Sequence, residues 1–273
     1  MLLRNITIGS DPEFGVIDLV SGEPRSVIGM LGGTKKEPLA LGNGCFRQED
    51  NVGAELTIPP CRTKEEFYKY ITEGRDGIDR ILSEHWLATK AVSSLRYSLE
   101  ELLDPKAMEF GCEPAFDVYN QCEANRPTPE EVGNLRSFGA HIHIGWEGPK
   151  DFEILETLVK ICDLFLGVPS VLIDRDQDRR TIYGGPGEFR ICDYGIEYRT
   201  LGGYMLSSKV YIEWMFEQTM KAVDFFNKQE HFEKLFSAGY DIKEFISSGD
   251  LEIAHNLLNN FEVDPVLKIL KKV

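Results

Sequence analysis

The chain has 273 residues, 42% of them hydrophobic and 27% charged, which fits a folded globular protein and excludes disorder, collagen and a coiled coil. At that length a core buries enough surface to stand without disulfides or a structural metal. Thirty Lys and Arg against 45 Asp and Glu leave a net charge of −15. A field of that sign argues against nucleic acid or an anionic membrane surface as a partner.

Residues 1–62 read as strands and turns. Ile6, Ile8, Phe14, Val16 and Ile17 bracket a polar centre, and Gly22, Pro24, Gly32 and Gly33 mark turns. Thr63 with Glu66 makes a capping-box pattern, and the spacing of Phe67, Tyr70, Ile71, Ile78, Ile81 and Leu82 predicts a helix to about Trp86. Residues 109–146 read as extended, ending in the alternation from Ala140 to Trp146. Asp151 opens a helix carrying Ile154, Leu155, Leu158, Ile161, Leu164 and Phe165. A Gly- and Arg-rich loop over 174–190 leads to a strand around 196–201. Helices follow over 207–226 and near 241–248, 250–260 and 264–272. Strands first and helices last predict an α+β fold with a mostly antiparallel sheet, one domain over 1–273, of which 206–273 is mostly helical. Six cysteines without a C-x-x-C pair read as reduced, mostly buried thiols. Residues 1–5 lack a signal-peptide core and no run nears roughly 18 apolar residues, so the expected location is the cytoplasm.

Polar residues at interior-looking strand positions carry the chemistry, because an ionised group buried without a partner costs several kcal/mol, roughly. Asp11 and Glu13 are two apart, so in an extended chain they share a face, where a divalent cation relieves their repulsion. A turn acid beside a solvated glutamate is the plainer alternative. Glu55 stands inside the strand-like run Glu55-Leu56-Thr57-Ile58, with Glu49 and Asp50 upstream. His141 and His143 share a face of the run Gly139–Gly145 and offer imidazoles to a metal or form a structural pair. Glu197 and Arg199 again share a face, as ligand and cation or as a structural salt bridge. Arg179, Arg180 and Arg190 crowd the loop before them, and guanidinium forks match phosphate oxygens. Together these residues suit chemistry on ATP with Mg²⁺, whose hard oxygen ligands bridge phosphates.

In chain order the blocks G-x-D-x-E (Gly9–Glu13), E-L-T-x-P (Glu55–Pro59), G-x-H-x-H-x-G (Gly139–Gly145) and E-x-R (Glu197–Arg199) resemble the glutamine synthetase and glutamate–cysteine ligase superfamily. The chain looks most like the compact carboxylate–amine ligase-like proteins of tailed phages, in which case its compartment is the host cytoplasm. The resemblance implies a curved antiparallel sheet of glutamine synthetase catalytic-domain type with flanking helices. It implies an enzyme that uses ATP and two or three Mg²⁺ or Mn²⁺ ions to join a small-molecule or peptide carboxylate to an amine through an acyl phosphate. By position, Glu13 and Glu55 then resemble ligands of one metal, with Glu49 or Asp50. Asp11, His141 and Glu197 resemble ligands of a second, and His143 faces phosphate. Arg199 resembles the arginine that stabilises the transferring phosphoryl group, while Arg179, Arg180 or Arg190 hold the other phosphates. Asp11 departs from the family's usual glutamate, being one methylene shorter. Arg136, Glu113 and Asp117 are candidates for the acceptor pocket. A metal-dependent hydrolase needs the same ligands without the arginines, and a non-catalytic binding module keeps the fold alone. The expected state is a monomer or dimer.

Overall fold

The computed structural model describes residues 2–109, 115–124, 126–229 and 232–250, with Ile253, Asn256, Leu257 and Asn260 beyond them. Glu113 and the helix expected over 264–272 lie outside the described residues, as does much of 250–260.

Strands β1 (Arg4–Asp18), β2 (Leu39–Gly42), β3 (Cys45–Asp50) and β4 (Gly53–Thr57) precede helix α1 (Lys64–Ser83). Strands β5 (Leu87–Lys90), β6 (Ser94–Arg96), β7 (Phe116–Asp117) and β8 (Cys122–Glu123) follow, then the short helix α2 (Pro129–Val132) and strands β9 (Leu135–Ser137) and β10 (Ala140–Glu147). After α3 (Phe152–Cys162), α4 (Val168–Ile173) and α5 (Asp178–Ile182) come β11 (Glu188–Cys192) and β12 (Gly195–Tyr198). Helices α6 (Lys209–Lys228), α7 (Phe232–Ser237) and α8 (Gly239–Ser248) close the described chain.

Among the described residues, ten strands form one sheet in the order β2-β3-β4-β1-β10-β12-β11-β7-β8, with β5 also on β1, and every pairing is antiparallel. The α+β expectation therefore holds. One face of the sheet is apolar. Ile8, Phe14, Ala54, Leu56, Ile142, Ile144, Phe189, Ile196 and Tyr198 are all buried, and α1, α3 and α6 supply the other half of the core through residues such as Ile71, Leu158 and Met215.

The capping box is present: Thr63 accepts from the Glu66 N–H and Glu66 reaches back to the Thr63 N–H. The helix stops at Ser83, earlier than periodicity suggests, because Trp86 turns into a positive φ of 60° and leads into β5. The helix opened at Asp151 does not run evenly through Phe165. It widens into a π turn over Asp163–Gly167 before α4 resumes, and a buried Asp163 sits at that turn, accepting a 2.6 Å hydrogen bond from Tyr198 Oη. The segment 174–190, expected as a loop, contains the short helix α5.

Candidate metal and phosphate site

Residues paired directly across an antiparallel ladder project to the same face. The register pairs Gln48 with Glu55, Glu55 with Glu13, Asp11 with His141, His143 with Glu197 and Glu197 with Arg190. Seven acids, imidazoles and cations from five strands thus form one polar band on the sheet face opposite the apolar core. Asp11, Glu13, Glu55, His141 and Glu197, spread over 187 positions of sequence, converge there.

Two neighbourhoods divide the band. In the first, Asp11, His143 and Glu197 offer ligand atoms that all lie within 4.8 Å of one another. His143 Nε2 is 3.2 Å from Asp11 Oδ2, and His143 Nδ1 shares a 2.8 Å hydrogen bond with Tyr194 Oη. When Nδ1 carries the proton, the Nε2 lone pair faces Asp11, the arrangement a metal-binding imidazole requires. Asp11 Oδ1 is buried with no hydrogen-bond partner among the described residues. A divalent cation would meet that unsatisfied oxygen, and the mixed carboxylate and imidazole donor set fits Mg²⁺ or Mn²⁺. The sequence expectation paired His141 with Asp11 and Glu197 and turned His143 to phosphate; the geometry groups His143 with the two acids instead. His141 sits beside them, with Nδ1 3.3 Å from Glu197 Oε1 and 3.6 Å from Glu13 Oε1.

In the second neighbourhood, Glu13 and Glu55 stand opposite each other. Glu13 Oε2 accepts from the Gly139 N–H, and Glu55 Oε2 from Gln48 Nε2, both at 2.5 Å. Burial pushes Glu13 up to about 8, with the Asp50 charge adding to it. Burial and then the charges of Asp50, Asp11 and Glu13 push Glu55 well above the usual carboxylate range, and burial raises Asp50 too. Three carboxyls that cannot all ionise comfortably repel one another, a repulsion that a cation would relieve. Of the two acids left open upstream, Asp50 belongs to this group. Glu49 has the opposite strand parity, and its Oε1 accepts from the Gly32 N–H at 2.8 Å.

The first neighbourhood has the reverse electrostatics. Burial would raise Asp11, but the charge and hydrogen bond of His143 hold it below its ordinary value. Burial would likewise raise Glu197, yet its hydrogen bond and charge contact with His141, then Arg199 and His143, keep it far below the carboxylate range. Burial lowers His141 to about 4 despite Glu197. Burial pulls His143 down, but Asp11 outweighs it and the net direction is up.

The arginines separate into two kinds. Arg199 Nε donates to Glu197 Oε1 at 2.8 Å and Arg190 Nη2 pairs with Glu197 Oε2, so both cations border the band. Arg179 does not. It is 1% exposed, and its guanidinium donates to the carbonyls of Phe138, Tyr183, Thr200 and Arg199. Arg180 likewise donates to the carbonyls of Asp174 and Asp176. Both were expected on phosphate; Arg179 instead ties the 174–190 segment to the chain just beyond β9 and β12, and Arg180 bonds within the segment. Arg136 donates to Asn51 Oδ1 and to the carbonyls of Gly133, Leu135 and Ala107, and Asp117 accepts from the N–H groups of Tyr119 and Asn120. These contacts are structural.

A cavity of about 740 Å³, its open mouth included, adjoins the band and is lined by Glu13, Asp50, Arg126, Phe138 and Tyr183 among others. Tyr183 stacks on His141 with ring centroids 5.8 Å apart. Sequence reasoning missed Gln48, Arg126, Tyr183 and Tyr194. The two-residue spacing of Gln48 and Asp50 was a usable signal for the first; nothing local marks the others.

Residues 134–250 match the family described as Phage phiEco32-like COOH.NH2 ligase-type 2. None of the curated proteins matches the sequence. Among solved structures, the chain aligns with apo GmaS without ligand at 11% identity and a TM-score of 0.43, over 92% of this chain and 65% of that one. A GmaS/ADP complex aligns at 8% identity and 0.39, over 98% and 70%, and a structure described as a novel glutamine synthase homolog at 10% and 0.36, over 93% and 66%. The chain thus spans just under two thirds of the length of the first of these. Residues 134–250, which hold His141, His143 and the Glu197–Arg199 pair, are thus similar to the phage phiEco32-like COOH.NH2 ligases, as the order of the motifs in that stretch led one to expect.

Proposed function

We propose that the chain is an ATP-dependent carboxylate–amine ligase working through an acyl phosphate. The observation that carries this reading is the polar band itself: two carboxylate-rich neighbourhoods with two arginines at their border, within a chain related to COOH.NH2 ligases.

Asp11, His143 and Glu197 would hold one Mg²⁺ or Mn²⁺, and Glu13, Glu55 and Asp50 another, with His141 orienting Glu13 and Glu197 between them. Bound there, the ions neutralise phosphate oxygens as charge develops. Arg199 is fixed by Glu197 and buried, so its charge is preorganised and needs no reorganisation when the phosphoryl group moves. Arg190, a fifth exposed, would meet phosphates arriving from solvent.

The reaction balances as two displacements. A substrate carboxylate oxygen bonds to the γ-phosphorus of ATP while the bond to the bridging oxygen breaks and ADP leaves. An amine nitrogen then bonds to the acyl carbon, phosphate leaves, and the amine gives up a proton. That proton balances on the phosphate, which leaves as hydrogen phosphate, since Glu13 and Asp50 on the cavity wall are committed to the metal in this reading.

The test is incubation with ATP, Mg²⁺, carboxylic acids including glutamate and a panel of amines. ADP and phosphate formed in step with an amide support the reading. AMP and pyrophosphate as the nucleotide products contradict the acyl-phosphate route, and amide or phosphodiester cleavage without nucleotide contradicts the ligase.

A further inference from the structure

Arg126 is a half-buried cation whose guanidinium has almost nothing to hold. Its Nε, Nη1 and Nη2 are each shielded from solvent without a hydrogen-bond partner among the described residues. Its guanidinium lies 3.9 Å from the Tyr183 ring centroid, and its one ion pair is 3.3 Å from Nη1 to Glu188 Oε2, an oxygen that also accepts from the Gly184 N–H at 3.2 Å. A guanidinium presents five donors in a planar fork. Leaving them unmatched inside a protein is costly, and stacking on an aromatic ring recovers only about 0.5–2 kcal/mol.

Arg126 lines the cavity beside the polar band, whose other walls include Val132, Leu135 and Phe138. Arg136, the second arginine on that wall, has donors committed to carbonyls and to Asn51, so it is part of the wall. Glu13 and Asp50 on the same lining, with the net charge of −15, disfavour a polyanion. A single carboxylate meets the fork geometry without that penalty, since two parallel N–H···O bonds match it. The apolar walls reward methylenes at about 0.8 kcal/mol each when buried.

We infer that this cavity seats a substrate carrying one carboxylate on an apolar body, with the carboxylate gripped by Arg126 and the body lying against Val132, Leu135 and Phe138. The assignment rests on the ligase reading in that it names a substrate class for the same site; Arg126 lies in none of the four motifs.

The test is calorimetric titration of the full chain with N-acetyl-L-phenylalanine, L-phenylalaninamide and L-glutamate, each with and without Mn²⁺ and a non-hydrolysable ATP analogue. N-acetyl-L-phenylalanine is expected to bind, the amide not, and glutamate more weakly. Arg126→Met should weaken N-acetyl-L-phenylalanine by about tenfold or more. Arg126→Lys, which keeps charge but loses the fork, should fall between. Val132→Phe should fill the cavity and block binding with Arg126 intact. Discrimination of carboxylate from amide is the readout that a merely structural Arg126 would leave unmoved. Equal binding of the amide, undiminished binding by Arg126→Met, or no binding by the wild type in either condition overturns the assignment. Analogue binding with no carboxylate binding leaves the ligase reading standing. Carboxylate binding without analogue binding keeps the cavity assignment and overturns the ligase.

Discussion

Glu13 and Glu55 are direct cross-strand partners, two carboxyls facing each other on one side of the sheet. Like charges so placed destabilise an antiparallel pair, and here both are buried and both pushed upward, Glu13 to about 8. In a sheet with an otherwise apolar reverse face, the pair is a stored repulsion that a cation would relieve.

A pH dependence follows with a definite sign. Acids raised in the folded state stabilise it fully below their unfolded values, near 4.5 for Glu13 and Glu55, and that contribution is lost as pH rises through about 8. His141, depressed to about 4 from 6.5, acts in the opposite direction but only below 6.5. Between pH 6.5 and 8.5 the metal-free melting temperature should therefore fall, and Mn²⁺ should restore more at pH 8.5 than at 6.5. Asp163, raised to about 7 by burial at the π turn, leaves a residual slope that Mn²⁺ does not touch. Glu55→Gln should raise the metal-free melting temperature at pH 8 and shrink the Mn²⁺ gain; an unchanged gain would count against Glu55 as a ligand.

Arg199 and Arg179, both buried, should respond to mutation in different ways. Arg199→Ala removes a cation placed for charge that develops during transfer, so kcat should drop by about 10²–10³ with a smaller change in KM for ATP. Loss confined to KM would assign Arg199 to ground-state binding.

Arg179→Met leaves four carbonyl acceptors without their donor inside the protein. The expected cost is about 3 kcal/mol or more of stability, read by chemical denaturation. An unaltered midpoint with a raised KM for ATP would restore the phosphate role that its sequence neighbourhood suggested.

Gly139 faces His141 so closely that a Cβ there would come within 2.4 Å of Nε2. Gly139→Ala should swing the imidazole away from Glu13 and Glu197 and weaken Mn²⁺ binding by about tenfold or more, the usual size of an orienting contact. Manganese titration by paramagnetic resonance measures it. Wild-type affinity in Gly139→Ala would mean that His141 does not orient the acids.

What was legible in the sequence follows from the range of the interaction. Spacing of two put Asp11 with Glu13, His141 with His143 and Glu197 with Arg199, because parity along a strand is local. Which strands lie side by side is not local, and the register alone sets His141 opposite Asp11, so the exchange of His141 for His143 beside Asp11 and Glu197 shows only in the side-chain distances. The choice of Asp50 over Glu49 was decidable from parity with Gln48 and Glu55 once β3 was known to pair with β4. The work of Arg179 was invisible because its partners are main-chain carbonyls at 138, 183, 199 and 200, and every residue has a carbonyl. The π turn depends on Asp163 meeting Tyr198 across 35 positions.

The most direct test of the account is anomalous diffraction from crystals of the chain grown with Mn²⁺ and a non-hydrolysable ATP analogue. Manganese peaks are expected at Asp11, His143 and Glu197 and between Glu13 and Glu55, with the γ-phosphate turned toward Arg199. Peaks only at surface acids, or an analogue bound away from this face of the sheet, would contradict it.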